Sequence, residues 1–447
     1  LQFNQKERAE TLGMLDIADY ILCLGDENLS QVINKLRPKF LILGKEKENL
    51  NNRDIEIRKA INLQKKLGGS VKFRAGDVNY SSADLLSSPE NEIESKRQRD
   101  FLLACKKQGI NSQSLLRAID QWQHTKLIVV GDIIVDQYLA CEALGLSAEA
   151  PVIVVKETEQ KNFLGGAGVV ASHIKSLGGD CDLSSVVGND ELKFFVKNII
   201  NSSGIGNFVI EDSTRPTTLK KRYLVDNQKV FRVSRLEENF ISKEIEEKII
   251  KNIEYSARNS HGIIISDFVY GVITDSLIKK IQKLAKKYNL ILIADLQCSS
   301  QIGSISKFKD FSLLCPNEKE ARISLQDNLN SIEFLSQKLM KKTRSKGLIM
   351  KLGASGFIAY ENNSNIELKR QSFPALTVKP LDVSGAGDSL LSVMALGLAS
   401  GQSIMVSAAL AACISGLSVK NMGNIPIKAD YLIDYVVKIF KDNNIDT

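Results

Sequence analysis

From Lys126 onward, short apolar runs alternate with amphipathic helical patterns, and this alternation restricts the fold more than any other feature of the chain. Leu127 to Val130 reads as a buried strand closed by Gly131-Asp132, and Gly168 to Leu177 reads as a helix. Val186-Val187, Gly262 to Ser266, Leu290 to Ala294 and Gly347 to Lys351 read as further strands. Helical patterns at Asp190 to Ser202, Thr274 to Tyr288 and Ser331 to Thr343 separate them. Strands that alternate with helices pair in parallel through crossovers, so the expected fold is α/β: a doubly wound, mostly parallel sheet covered on both faces. Tyr138 to Val155 and Thr217 to Val233 are strand-like but fall outside this rhythm, and they predict a small β lid.

A chain of 447 residues has room for more than one domain. Residues 1–86 read as a small α/β unit. Its predicted elements are helices at Glu7 to Leu15, Leu29 to Leu36 and Asp54 to Leu67, with strands at Asp19 to Leu24, Phe40 to Leu43 and Val71 to Phe73. Residues 87–124 begin with the loop signal Ser87-Ser88-Pro89 and continue with surface-helix patterns at Lys96 to Lys107 and Gln113 to Gln123, a helical linker. Residues 125–447 are the long α/β domain.

Composition excludes several classes. The net charge of +7 is spread along the chain, and one tryptophan and ten tyrosines form no basic-aromatic stripe, so no nucleic-acid partner is expected. The seven cysteines are scattered, odd in number and without a C-x-x-C pair, a pattern of reduced thiols. No apolar run reaches the roughly 18 residues needed to span a bilayer and no signal peptide opens the chain, so a cytoplasmic location and no membrane partner are expected. The first residue is Leu1 rather than Met, which is read as a fragment.

The chemistry concentrates at Asp382-Val383-Ser384-Gly385-Ala386-Gly387-Asp388-Ser389, followed by the apolar helical run Leu390 to Leu396. Small residues entering a helix N-terminus let backbone N–H groups approach an anion, and the helix dipole adds to the attraction. Phosphoryl transfer needs such a cradle, and Asp388 in the first helical turn is placed to take a proton from a hydroxyl. Taken alone, the loop is equally a glycine turn with an ordinary helix-start Asp. Gly131-Asp132-Ile133-Ile134-Val135-Asp136 supplies Asp132 and Asp136, strand-end carboxylates suited to sugar hydroxyls or to turn chemistry. Leu164-Gly165-Gly166-Ala167 is a turn in which Gly165 and Gly166 allow a close backbone approach. Asn317 and Glu320, three apart after Cys315-Pro316, suit either a Mg²⁺ site through water or a helix start.

Together and in this order, these motifs resemble the phosphofructokinase-B or ribokinase-like family of carbohydrate kinases over residues 125–447. The likeness is greatest to heptose-7-phosphate kinases, on Gly131 to Asp136, Ser147 to Val152, Arg215 to Lys220, Ser266-Asp267-Phe268, Asn317 with Glu320, and the Gly-Ala-Gly-Asp loop. The resemblance implies ATP, Mg²⁺ and K⁺ as cofactors and a sugar or sugar phosphate as substrate. It makes Asp388 the base and Gly385, Ala386 and Gly387 the anion hole. Asp136 would hold sugar hydroxyls, Asn317 and Glu320 would organise Mg²⁺ and phosphate, and Asp382 would order a monovalent-cation loop. Lys351-Leu352-Gly353-Ala354-Ser355-Gly356 resembles the turn near the nucleotide, giving Lys351, Gly353 and Gly356 that role. Lids of such relatives pair across a dimer, so a homodimer through the lid is expected. Three positions depart from the family: Val169 stands for an Asn, Tyr270 for a Lys, and Leu296-Gln297 for Pro-Lys.

Arg8-Ala9-Glu10, Arg37 to Lys45 and Tyr80-Ser81-Ser82 resemble the second half of a cytidylyltransferase-like domain, implying a truncated nucleotidyltransferase-like unit ahead of the kinase. Such domains use an H-x-G-H motif, whereas the three histidines are His124, His173 and His261. No nucleotidyl transfer is expected from the chain as it stands. In fused heptose enzymes the kinase comes first, so the order here is reversed. The sequence therefore points to an ATP-dependent sugar kinase. A kinase-fold module that binds without turnover, and the kinase half of a bifunctional enzyme, are the alternatives.

Overall fold

The computed structural model describes residues 20–24, 28–44, 55–75, 90–226, 228–298, 301–362 and 368–441, together with Gln5 and Ala9. It divides into two compact units, Leu1–Asp84 and Leu85–Thr447.

In the first unit, helix α1 (Leu29–Leu36), strand β1 (Phe40–Gly44), helix α2 (Ile55–Lys66) and strand β2 (Ser70–Ala75) form a β-α-β arrangement. Asn28 caps α1 in a reciprocal box with Gln31. The strands pair in parallel, and the buried Gln64 amide donates to the Pro38 carbonyl at 2.7 Å. Tyr20 to Leu24, expected as part of a strand, carries no strand pairing. The helix expected at Glu7 to Leu15 and the segment Tyr80-Ser81-Ser82 lie outside the described residues, apart from helical Ala9.

The second unit opens with helices α3 (Glu90–Lys107) and α4 (Ser112–Asp120), and these correct one expectation. The sequence pattern predicts a linker of surface helices here. Instead Phe101, Leu102, Cys105, Leu115, Ala118 and Trp122 are buried within the main apolar core. The two Phe101 ring contacts, to Phe373 at 6.2 Å and Phe440 at 6.4 Å, tie α3 to the far end of the chain.

Among the described residues the central sheet has nine strands, in the order β15-β14-β13-β12-β11-β10-β3-β6-β7. In chain order the parallel members are β3 (Lys126–Gly131), β6 (Asp180–Gly188), β7 (Gly206–Asp212), β10 (Gly262–Asp267), β11 (Ile291–Leu296), β12 (Leu313–Leu314) and β13 (Gly347–Lys351). An antiparallel edge is added by β14 (Phe357–Glu361) and β15 (Lys369–Phe373). The chain runs outward in both directions from β3, so the β3/β10 boundary is the topological switch where α/β sheets place their ligands.

A second sheet of four strands, order β5-β4-β8-β9, forms the lid. It comprises β4 (Ile133–Leu146), β5 (Ile153–Gly166), β8 (Leu219–Val225) and β9 (Gln228–Arg235). The roots of β4 and β5 are buried and their tips exposed. The core closes on helices α11 (Ala386–Ala399) and α12 (Ile404–Ser418). Both are apolar nearly all round and therefore buried.

Candidate active site

The carboxyl ends of the parallel strands carry Asp132, Asp267, Asp295, Gln297, Asn317 and Lys351 along one edge, and α11 presents its N-terminus there. Gly385 is the N-cap of α11, with φ +80° and no side-chain cap over the first-turn amides. A Cβ at Gly385 would stand 2.4 Å from Asn424 Oδ1, so both backbone conformation and space require glycine. At Gly387 an added Cβ would face Lys351 Nζ at 3.6 Å and Gln297 Nε2 at 3.9 Å. Bare amides, an ammonium and an amide donor thus converge on one small volume.

Asp388 is buried in the first turn of this helix. Burial and the nearby Asp295 push its carboxyl up to about 7, against the opposing pull of Lys351 and Gln297. Gln297 Nε2 donates to Asp388 Oδ1 at 2.9 Å and to Asp295 Oδ2 at 3.3 Å. Lys351 Nζ donates to both Asp295 oxygens, at 2.8 and 3.0 Å. Burial would lower the Lys351 pKa, but Asp295 and Glu320 outweigh it and keep the ammonium charged. A carboxyl titrating near neutrality beside an anion cradle is the arrangement a general base requires.

The other anticipated residues sort differently. Both Asp132 oxygens accept backbone amides, from Phe268 (2.8 Å), Tyr270 (3.4 Å) and Val272 (3.3 Å). Asp132 therefore fastens a loop in which Val269 sits at φ +63°, a strained value for a β-branched residue. Burial and Asp267 raise its carboxyl to about 6. Asp136 lies at the lid root, paired with Arg222 and accepting Asn424 Nδ2 at 3.0 Å. The Gly165-Gly166 turn packs against these two carboxylate residues. A Cβ on Gly165 would meet Asp136 Oδ2 at 2.4 Å, and one on Gly166 the Asp132 carbonyl at 2.2 Å.

Asn317 and Glu320 form a reciprocal capping box at the start of α9 (Glu318–Leu325), with bonds of 2.8 and 2.7 Å. Glu320 also accepts the Cys298 amide at 3.3 Å, and burial raises its carboxyl. Gly353 and Gly356 shape the β13–β14 turn. Asp382 lies beneath the Gly385 loop and meets the lid through Tyr138 and Lys229.

Sequence reasoning did not assign site roles to Tyr138, Arg222, Lys229, Asp295 or Asn424. Asp295 had a signal, because it ends an apolar strand as Asp132 does. The others come together only through long-range folding. Two of the positions that depart from the family pattern, Tyr270 and Gln297, each have a lysine nearby. Lys220 Nζ lies 5.1 Å from the Tyr270 ring centroid, and Lys351 sits beside Gln297 on the shared partner Asp295. Val169 is fully buried in α5 (Ala167–Ser176).

The family model described as pfkB family carbohydrate kinase matches residues 124–429. The chain belongs to this family of carbohydrate kinases. Among curated relatives, the bifunctional protein HldE of Campylobacter jejuni is 31% identical over 325 residues, covering 71% of this chain and 67% of that protein. The HldE protein of Geobacter sulfurreducens is 29% identical over 301 residues, covering 66% of this chain and 60% of its own length. Solved structures agree on the fold. Ribokinase from Thermotoga maritima aligns with a TM-score of 0.55 at 21% identity, over 70% of this chain and 99% of its own. Phosphofructokinase-2 from Escherichia coli gives 0.57 at 16% identity, over 70% and 99%. The ribokinase-like fold and the kinase class expected from the sequence both hold. Among the described residues no helix is long and apolar enough to cross a membrane.

Proposed function

We propose that this kinase transfers the γ-phosphoryl group of ATP to the anomeric hydroxyl of a sugar that already bears a phosphate, with heptose 7-phosphates as the acceptor class. Asp388 takes the hydroxyl proton as the sugar oxygen bonds to phosphorus. The bond to the β,γ-bridging oxygen breaks, and ADP leaves with that electron pair. The amides of Gly385, Ala386 and Gly387, with Lys351, face the charge that accumulates on the migrating group. Gln297 holds the base in place.

Among the described residues no group of three or more His, Cys, Asp or Glu side chains converges for a metal. Glu320 already accepts two backbone amides. This donor set suits a Mg²⁺ carried by the triphosphate and contacted through water by Glu320, where it would neutralise phosphate charge.

The observation that carries the phosphorylated acceptor is a cavity of about 390 Å³ at the lid root, lined by Arg222, Lys229, Phe231, Arg232 and Ser384. Three cations converge beside the catalytic loop. Arg222 is paired with Asp136, whose charge reaches Asp388. Guanidinium groups bind phosphate through charge-assisted, paired hydrogen bonds. ADP release measured across sugars and their phosphates tests this. Arg232→Ala should raise KM for the phosphorylated acceptor by about 10- to 100-fold, the scale of one charge-assisted bond, and leave unphosphorylated sugars unaffected. An equal effect on both would remove the lid cavity from acceptor recognition.

The lid also supports pairing of two copies. Leu144, Leu146, Val152, Ile153, Val230, Phe231 and Val233 are all exposed on it. Exposed apolar side chains, at the β4–β5 tip and on edge strand β9, together with open strand edges favour an intermolecular contact. Sedimentation at micromolar concentration should give a dimer, and Leu146→Glu with Ile153→Glu should give a monomer. A parent protein that sediments as a monomer would end this reading.

A further inference from the structure

The family resemblance implies a monovalent cation at the loop around Asp382, and the donor set at Asp382 does not fit one. The Asp382 side chain is fully buried. Its Oδ1 accepts from Lys229 Nζ at 2.7 Å and from the Ser384 amide at 2.9 Å. Its Oδ2 accepts from the Tyr138 hydroxyl at 2.7 Å and from the Gly423 amide at 3.2 Å. A carboxylate has about four lone-pair sites, and these donors fill them. A potassium ion could ligate this group only by displacing one of them.

We infer that the Lys229 ammonium, carried in by lid strand β9, is the resident cation of the catalytic loop and makes the loop independent of K⁺. An alkylammonium and K⁺ carry the same single charge and are close in size, so one can stand where the other would. Lys229 Nζ reaches past Asp382 to Ser384 Oγ at 3.1 Å, inside the loop that leads to Gly385. It also lies 5.6 Å from the Tyr138 ring centroid, and that ring packs edge-on against Phe163 at 5.2 Å. The ammonium is therefore located by lid residues on one side and by the loop on the other. Burial opposes ionisation of Asp382, but Lys229, Tyr138 and Ser384 outweigh it and hold the carboxyl down at about 2.

Two consequences follow. The cation cannot wash out, because it is covalently part of the chain. It is also present at the loop only while the lid lies over the site, so lid position and the geometry of the anion hole are linked. Neither consequence depends on which sugar is phosphorylated.

Thermal unfolding of the full chain tests the inference without any acceptor. Midpoints are compared in tetramethylammonium, Na⁺ and K⁺ chlorides at equal ionic strength. The parent protein should unfold at the same temperature in K⁺ as in tetramethylammonium. Lys229→Met removes the charge, leaves a buried anion uncompensated and opens the site. Its midpoint should be lower in tetramethylammonium and should rise saturably in K⁺, by about 2 °C or more. Lys229→Arg keeps a charge and should show no K⁺ response. If Lys229→Met does not fold without K⁺, recovery of folded protein on refolding in KCl replaces the midpoint as the reading. A saturable K⁺ effect on the parent as large as on Lys229→Met would overturn the inference. So would a Lys229→Met protein indifferent to K⁺. ADP release, run in parallel, keeps a failed acceptor assignment separate from these outcomes.

Discussion

Asp388→Asn should lower turnover by about 10³-fold, within the range typical of a lost general base, while making the protein more stable above pH 7. The two effects have one origin. Asp388 is held at about 7 in the folded chain, well above the ordinary aspartate value of 3.8, chiefly because it is buried and faces Asp295. A carboxyl raised in this way contributes stability that is complete below about pH 4 and is lost as the pH climbs through 7. Asparagine has no charge to bury, so its advantage over the parent should be absent near pH 4 and reach a few kcal/mol above neutrality. Activity runs the opposite way. The base must be unprotonated to work, so parent turnover should rise with pH through about 7 and then level off, and the Asn protein should show no such limb. ADP release and urea unfolding, each followed from pH 4 to 9, give both curves. A variant with parental turnover, or a parent whose rate does not depend on pH near 7, would remove Asp388 from the chemistry.

How much of this was legible depended on whether the information was local. Period-two and period-3.6 patterns place a strand or helix wherever one face is buried, and β3, β10, β11 and β13 begin and end close to their sequence-predicted limits. Caps are equally local: the patterns predict helix starts at Thr274 and Ser331, and each accepts an amide of its own first turn. The α3 helix looks like a surface helix in sequence because Lys96, Arg97, Arg99 and Lys107 surround its apolar stripe and suggest a solvated face. Burial of Phe101 depends on Phe373 and Phe440, which no local window contains.

The site divides along the same line. The Gly-Ala-Gly-Asp loop is continuous in sequence, so its geometry could be anticipated. The contacts that surround it are not. Tyr138 reaches Asp382 across 244 positions, and Asn424 reaches Asp136 across 288. Asn317 and Glu320 show a different limit. Their spacing of three suits both a shared face toward an ion and a capping box, and spacing alone does not separate the two. In the structure the inward-facing oxygens serve the helix start.

Lys351→Met should produce the other large effect, and a second substitution separates its causes. Asp295 is almost completely buried, and the Lys351 ammonium engages both its oxygens. Removing one partner of such a pair leaves a buried charge, at a cost of about 3–5 kcal/mol. The unfolding midpoint should fall accordingly. Lys351 also pulls the Asp388 carboxyl down while Asp295 pushes it up. Its loss should therefore shift the acid limb of the pH–rate curve to higher pH. Lys351→Met combined with Asp295→Asn removes the orphaned charge, so stability should return and the limb should move back to 7 or below. Turnover is the discriminating quantity. If the ammonium only neutralises Asp295, the double variant should regain most of its rate along with its stability. If the ammonium faces the migrating phosphoryl group, as its position opposite Gly387 implies, the double variant should fold normally and remain at least about 10²-fold slow, the scale of one lost electrostatic donor at an anion hole.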